Sequence, residues 1–225
     1  MSLTLQPNDI VIYWPFRGER KRLVFPGMEV CWPFIYFGRA LKMDGPMRLL
    51  DIGACAGSFL LPFISVSSGS TIDAFEPSSK AWPYLMHNCG DVAGVTLHKM
   101  AASSRAGTAT LSTFEHSAGR VLGVDSLHGD GVDAEEVETV RLDDFIEGPV
   151  DMMKVDVEGH ELDVFKGAEN ILRAHKPELL VELKDVRQKQ GGHTIDELVQ
   201  YLVRLGYGIP QRFANFDYLF RWSQA

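Results

Sequence analysis

From Met47 onward, short apolar segments alternate with stretches of helical period, and this alternation limits the possible folds more than any other feature of the chain. Met47-Arg48-Leu49-Leu50-Asp51-Ile52 reads as a buried strand, and residues 59–66 as an apolar helix after it. Residues 71–75 repeat the pattern, with a helix over 82–88. Three more strands are expected over 95–101, 150–155 and 178–182, the last two each leading into a helix. Strands that alternate with helices imply a parallel sheet covered by helices, an α/β fold. The helix over 160–174 places Leu162, Phe165, Ala168 and Leu172 on one face. Thr194-Ile195-Asp196-Glu197 is a capping box opening a helix that ends at Gly206. Pro62 and Pro83 fall inside the first two helices, where a proline beyond the first turn would kink them.

Three regions depart from the alternation. Residues 1–46 are dense in aromatics (Trp14, Phe16, Phe25, Trp32, Phe37) and carry the basic run Arg17-Gly18-Glu19-Arg20-Lys21-Arg22. They read as a short β-rich extension that packs its aromatics on the core and leaves the basic run solvated, with a substrate cap as the alternative. Between the third and fourth strands, residues 107–145 hold two strand-like pieces, 108–114 and 137–142, around a Gly- and Asp-rich stretch whose most flexible point is His128-Gly129-Asp130-Gly131. Residues 208–222 read as a terminal antiparallel hairpin.

Composition narrows the class further. No apolar run reaches the ~20 residues of a membrane helix, and the first residues show neither a basic opening nor an apolar stretch, so a soluble cytoplasmic protein without a signal peptide or membrane contact is expected. A net charge of −8 disfavours nucleic acid as a partner. Cys31, Cys55 and Cys89 form no CxxC pair, which argues against a disulfide framework or zinc knuckle and for small buried apolar residues.

Four segments carry chemistry. Asp51-Ile52-Gly53-Ala54-Cys55-Ala56-Gly57 sits at the first strand–helix junction, where glycines admit a ligand close to the backbone and the helix start offers free N–H groups. It lacks the third glycine of a dinucleotide fingerprint and suits a nucleoside cofactor without a pyrophosphate better. Phe75-Glu76-Pro77 ends the second strand, where an acid can accept from both hydroxyls of a ribose. Asp156, Glu158 and His160, in Lys154-Val155-Asp156-Val157-Glu158-Gly159-His160-Glu161, gather at the carboxyl end of the sheet, with Glu161 read as a loop-orienting residue. Glu182 ends the neighbouring strand and faces the same crevice or pairs with Lys154 or Lys184.

Taken in order, Leu49 to Gly57, Ala74-Phe75-Glu76-Pro77, Met100-Ala101-Ala102-Ser103, the Lys154 to Glu161 segment, Phe165-Lys166-Gly167-Ala168 and Pro177 to Glu182 resemble the FkbM family of S-adenosylmethionine-dependent methyltransferases. The resemblance implies a Rossmann-like class I methyltransferase domain over 47–225, with a mostly parallel sheet, that moves a methyl group to a hydroxyl of a small natural product or sugar. It implies S-adenosyl-L-methionine as cofactor, with Asp51, Gly53, Ala54, Gly57 and Phe59 around its methionine part, Glu76 followed by Pro77 at the ribose, and Met100, Ala101 and Ala102 at the adenine. Cys55 lies in the same loop where the family usually has Asn, His160 falls at a variable position, and Lys184 replaces a common His. Asp156, Glu158 and His160 are the candidate catalytic groups, His160 because its ordinary pKa suits a base near neutrality. A sulfonium needs no Lewis acid, so no metal is expected, although Asp156, Glu158 and Glu182 are ligands of a kind that suits magnesium. The rival readings are a nucleotide-dependent oxidoreductase, disfavoured by the missing glycine, and a binding protein that keeps the cofactor pocket without turnover.

Overall fold

The computed structural model describes residues 9–16, 19–26, 45–67, 69–113, 115–116, 119–120, 125–128, 133–214 and 216–223. The chain begins with a hairpin, β1 (Asp9–Phe16) and β2 (Glu19–Pro26). The apolar runs then build β3 (Arg48–Ile52), α1 (Leu60–Val66), β4 (Thr71–Phe75), α2 (Trp82–Cys89) and β5 (Val95–His98). An insertion follows: β6 (Ala101–Ala102), β7 (Gly107–Thr113), β8 (Glu115–His116), β9 (Gly119–Arg120), β10 (Asp133–Val140) and α3 (Leu142–Phe145). The remainder is β11 (Met152–Val155), α4 (Glu161–Lys166), α5 (Glu169–His175), β12 (Glu178–Glu182), α6 (Asp185–Gln190), α7 (Ile195–Leu205), β13 (Gln211–Ala214) and β14 (Asp217–Phe220).

The main sheet runs β13-β14-β12-β11-β3-β4-β5. The five strands from β12 to β5 are parallel, and β14 and β13 close one edge antiparallel, as the terminal hairpin predicts. A parallel strand covered on both faces must be apolar on both, which explains continuous runs such as Leu179-Leu180-Val181. Leu50, Ile52, Met153, Val155, Leu179 and Val181 pack with Phe165, Leu172, Leu198 and Leu202 from α4, α5 and α7. Leu49, Ile72, Ala74, Met152 and Leu180 pack on the other face with Leu60, Leu61, Ile64, Leu85 and Cys89, joined by Leu23 and Val24 of β2. Asn88, fully buried, holds that hairpin down: its Oδ1 accepts from Val24 N, and its Nδ2 donates to Val24 O and Ala56 O, each at 2.8 Å. Lys21 of the basic run is not left in solvent but pairs with Asp91. The aromatics expected to pack there lie outside the described side chains.

The structure differs from the sequence reading in four places. The strand expected over 95–101 splits, because Glu76 N bonds His98 O and the chain then leaves the sheet, so that Ala101 and Ala102 pair instead with Thr139 and Val140. The helix expected over 160–174 is two helices: the Asp143 carboxylate accepts from Asn170 N and Ile171 N (both 3.0 Å) and caps a fresh start. Pro62 and Pro83 stand in the first turns of α1 and α2, where the missing N–H has no intrahelical partner to lose, so neither kinks its helix. Helix α6 had no sequence expectation. The capping box of Thr194 and Glu197 and the left-handed Gly206 bound α7 as expected. Among the described residues no helix is long and apolar enough to cross a membrane.

Candidate functional site

The loops after β3, β4 and β11 leave the same edge of the sheet and enclose, with the insertion, a cavity holding about 930 Å³ of empty space, partly open to solvent. Gly53, Ala54, Cys55 and Phe59 form one wall, Glu76 and Pro77 the next, and Met100, Ala101 and Ala102 a third. Asp156, Glu158 and His160 face them, and Leu111, Asp125 and Leu127 of the insertion complete the enclosure.

The first loop is shaped by close approach. Gly53 has φ +82°, and a Cβ on it would lie 1.9 Å from Asp156 O, so only glycine lets the loop lie against the β11 turn. Gly57 (φ +83°) faces away from the cavity, where a Cβ would stand 2.4 Å from Cys89 Sγ. Asp51 is also away from the cavity wall, fully buried in β3 and opposite Lys154 of β11. Lys154 Nζ lies 3.5 Å from both Asp51 Oδ1 and Asp156 Oδ2 and donates to Gly53 O at 2.6 Å. Burial acts to lower that ammonium's pKa, but Asp156 and Asp51 outweigh it and hold it above its ordinary value. Asp51 thus acts through Lys154, which ties the two loops together. Cys89 is buried as expected, whereas Cys55 lines the cavity with φ +49°.

Glu76 is 7% exposed. Its Oε2 accepts from Cys55 N and its Oε1 from Ser78 N, both at 2.8 Å. Burial, with help from the nearby Asp125 carboxylate, pushes its pKa up to about 7 against those two bonds. Asp125 is a site group that sequence reasoning missed: both its oxygens are buried with no hydrogen-bond partner among the described residues. An isolated acid in a Gly- and Asp-rich insertion carries no signal; only the fold, through the bridge between Ser126 and Ser112 and the bond from Ser126 Oγ to Glu158 O (2.8 Å), brings it over the cavity.

On the opposite wall, carboxylate oxygens of Asp156, Glu158 and Glu182 come within 4.8 Å of one another, so the structure brings together the acids that the sequence could not. Burial acts to raise the Asp156 carboxyl, but Lys154 and then Lys184 override it and keep it below its ordinary value. Glu182 is pushed up to about 8, by burial first and Asp156 second, although Lys184 Nζ lies 2.5 Å from its Oε2. Glu158, backbone φ +51°, is pinned by Lys184 Nζ and Arg187 Nε, each at 2.9 Å. Glu161 accepts from Val157 N, Gly159 N and Gln188 Nε2, the loop-orienting part expected of it. His160 departs from the picture of a free base: Nε2 bonds Ser103 Oγ (2.9 Å), Nδ1 lies 2.8 Å from His128 Nε2, and burial pushes its pKa down to about 4.

Comparison with known proteins bears on the family and the fold. Residues 51–209 match the family model described as the methyltransferase FkbM domain. Among solved structures the chain is similar to methyltransferase FkbM from Methylobacillus flagellatus KT, at 19% identity and TM-score 0.58, over 85% of this chain and 48% of that one. This chain therefore spans about half the length of that protein. It is also similar to ribosomal protein L11 methylase from Lactobacillus delbrueckii subsp. bulgaricus (12% identity, TM-score 0.51, 85% and 77% covered). A putative caffeoyl-CoA O-methyltransferase from Staphylococcus aureus is a third (12%, 0.52, 85% and 82%). At such identities these likenesses speak for the fold, a class I methyltransferase sandwich. No curated protein matches the chain.

Proposed function

The chain belongs to the FkbM methyltransferase family, and from that premise we propose that it methylates a hydroxyl oxygen on a small natural product or sugar. S-Adenosylmethionine is its cofactor, whose sulfonium supplies an already electrophilic methyl carbon. The residues fit that group. Glu76 offers a buried carboxylate with lone pairs left for a ribose diol, the Gly53 loop admits backbone contact, and Met100, Ala101, Ala102, Leu111 and Leu127 give an apolar slot for a purine. Asp125 and Asp156, the latter held below its ordinary pKa by Lys154 and Lys184, line the cavity with oxygen acceptors for the cofactor's polar groups.

The observation that carries the reading is that the Gly53–Glu76 wall and the Asp156–Glu158 wall share one cavity. The Gly53 to Phe59 loop and Glu76-Pro77 hold the cofactor, and Asp156 and Glu158 hold the acceptor hydroxyl facing it. Such alignment supplies ~7–11 kcal/mol of a methyl transfer barrier, more than a base can add. As the new C–O bond forms and the C–S bond breaks, the hydroxyl proton passes to the Asp156–Glu182 pair, a step worth ~10²–10⁴-fold. Because Glu182 is pushed up to about 8, the pair has room for that proton above this pH. His160, with both nitrogens engaged, shapes the wall and stands behind the acids.

The test is to incubate the protein with trideuteromethyl S-adenosylmethionine and a panel of hydroxylated small molecules and sugars, and to locate the label by NMR. A labelled ether that disappears in Asp156→Asn supports the reading. A label on nitrogen or carbon, or S-adenosylhomocysteine formed without any methylated acceptor, contradicts it.

A further inference from the structure

Beside the acidic wall, and sharing His160 with the cavity lining, lies a second group of ligating side chains, whose nitrogen and carboxylate ligands the methyl transfer described above does not use. His128 Nε2 stands 2.8 Å from His160 Nδ1, Asp163 Oδ2 stands 3.9 Å from the same nitrogen, and ligand atoms of all three lie within 4.8 Å of one another. We propose that His128, His160 and Asp163 form a binding site for one divalent transition-metal ion of the zinc or cobalt type, which clamps the insertion to the start of α4.

Two imidazole nitrogens and one carboxylate oxygen suit a borderline metal and not magnesium or calcium, which take oxygen ligands. Bonds of about 2.0–2.2 Å at a tetrahedral centre set the ligand atoms about 3.3 Å apart. The observed 2.8 and 3.9 Å bracket that spacing and the third separation is no more than 4.8 Å, so side-chain rotation of His128 and Asp163 is the movement that would close the site. With no ion between them, the two facing nitrogens can share only a single hydrogen, which an ion would replace. The rest of the shell is already in place: Ser103 Oγ fixes the far nitrogen of His160 at 2.9 Å, the placement that second-shell partners of metal-bound histidines take. Ser126 Oγ accepts from His128 N (3.1 Å) and donates to Glu158 O, fixing the segment that carries His128. Three protein ligands leave one position for water. The only competitor for Asp163 among the described residues is Lys166, 3.8 Å away and half exposed, a weak rival. An ion here joins residue 128 to residues 160 and 163, and so fastens the segment bearing Asp125 and Leu127 over the cavity.

The experiment uses the full chain without a histidine tag, freed of metal by chelation and titrated calorimetrically with Co²⁺ and with Zn²⁺, while cobalt absorption is followed in the visible. One equivalent should bind with a d–d spectrum of nitrogen and oxygen ligation and a raised melting temperature. His128→Gln and Asp163→Asn should each weaken binding at least tenfold while circular dichroism stays unchanged, and Glu182→Gln should leave it as in the wild type. Absence of binding below millimolar metal would overturn the proposal. So would binding that survives both His128→Gln and Asp163→Asn, or binding lost only in Glu182→Gln, which would put the ion among the carboxylates.

Discussion

Replacing Glu76 by alanine removes a carboxylate that does two things at once. In the ligand-free protein it accepts from Cys55 N and Ser78 N at 2.8 Å, and in the complex it is to accept from the ribose hydroxyls. A hydrogen bond to a charged group contributes ~1.5–3 kcal/mol. Losing one ribose bond of this kind weakens the cofactor roughly 10- to 150-fold, at 1.4 kcal/mol per decade; losing both weakens it more. The measurement is calorimetric titration with S-adenosylhomocysteine at pH 8, where Glu76, pushed up to about 7, is ionised. The stability effect has its own sign. The folded pKa lies above the ordinary value of 4.5, so the protonated form stabilises the fold fully below that pH, and this contribution, roughly 3 kcal/mol by 1.36 kcal/mol per unit, is lost as pH rises through about 7. Glu76→Gln should therefore flatten the fall in melting temperature between pH 5 and pH 8 relative to the wild type. Unchanged affinity for S-adenosylhomocysteine in Glu76→Ala, with circular dichroism intact, would refute the reasoning.

Asp125→Asn replaces a carboxylate that has no hydrogen-bond partner among the described residues, so it should weaken S-adenosylmethionine more than S-adenosylhomocysteine, which lacks the sulfonium; equal loss for both, measured by calorimetry, would show that the carboxylate does not face the sulfonium. The rate of methyl transfer should rise as pH passes through about 8 and lose that limb in Glu182→Gln; an unchanged pH–rate profile in the variant would remove Glu182 from the proton's path. Gly53→Ala should lower the melting temperature by about 4–8 °C, the counterpart of ~2 kcal/mol in a chain of this size, because its Cβ would meet Asp156 O at 1.9 Å; a shift under one degree would mean that the two loops part easily.

The parallel sheet was legible because its strands are continuous apolar runs, which need helices on both faces. The capping box of Thr194 and Glu197 was legible for a local reason, since both partners lie within one turn. What stayed hidden depends on contacts distant in sequence. Ala101 and Ala102 look like the tail of β5 until Thr139 and Val140 offer another partner. The break at Gly167 depends on Asp143, far upstream. At the site, the walls follow from strand ends, so Gly53, Glu76 and Asp156 could be placed from spacing alone. Asp51 and Gly57 belong to the same motif but serve Lys154 and Cys89 instead of the cavity. His160 could be named as a neighbour of the acids, but not its bonds to Ser103 and His128, which reverse the expectation of a base near neutrality. Asp125 required the insertion to fold back over the sheet.

The central claim, that one cavity holds the cofactor on the Glu76 wall and the acceptor on the Asp156 wall, is tested most directly by a crystal structure with S-adenosylhomocysteine. The account predicts both ribose hydroxyls within hydrogen-bond distance of the Glu76 carboxylate, the purine against Met100, Ala101 and Leu127, and the sulfur turned toward Asp156 and Glu158. A nucleoside bound outside this cavity, or one inside it with its sulfur turned away from Asp156, would contradict it.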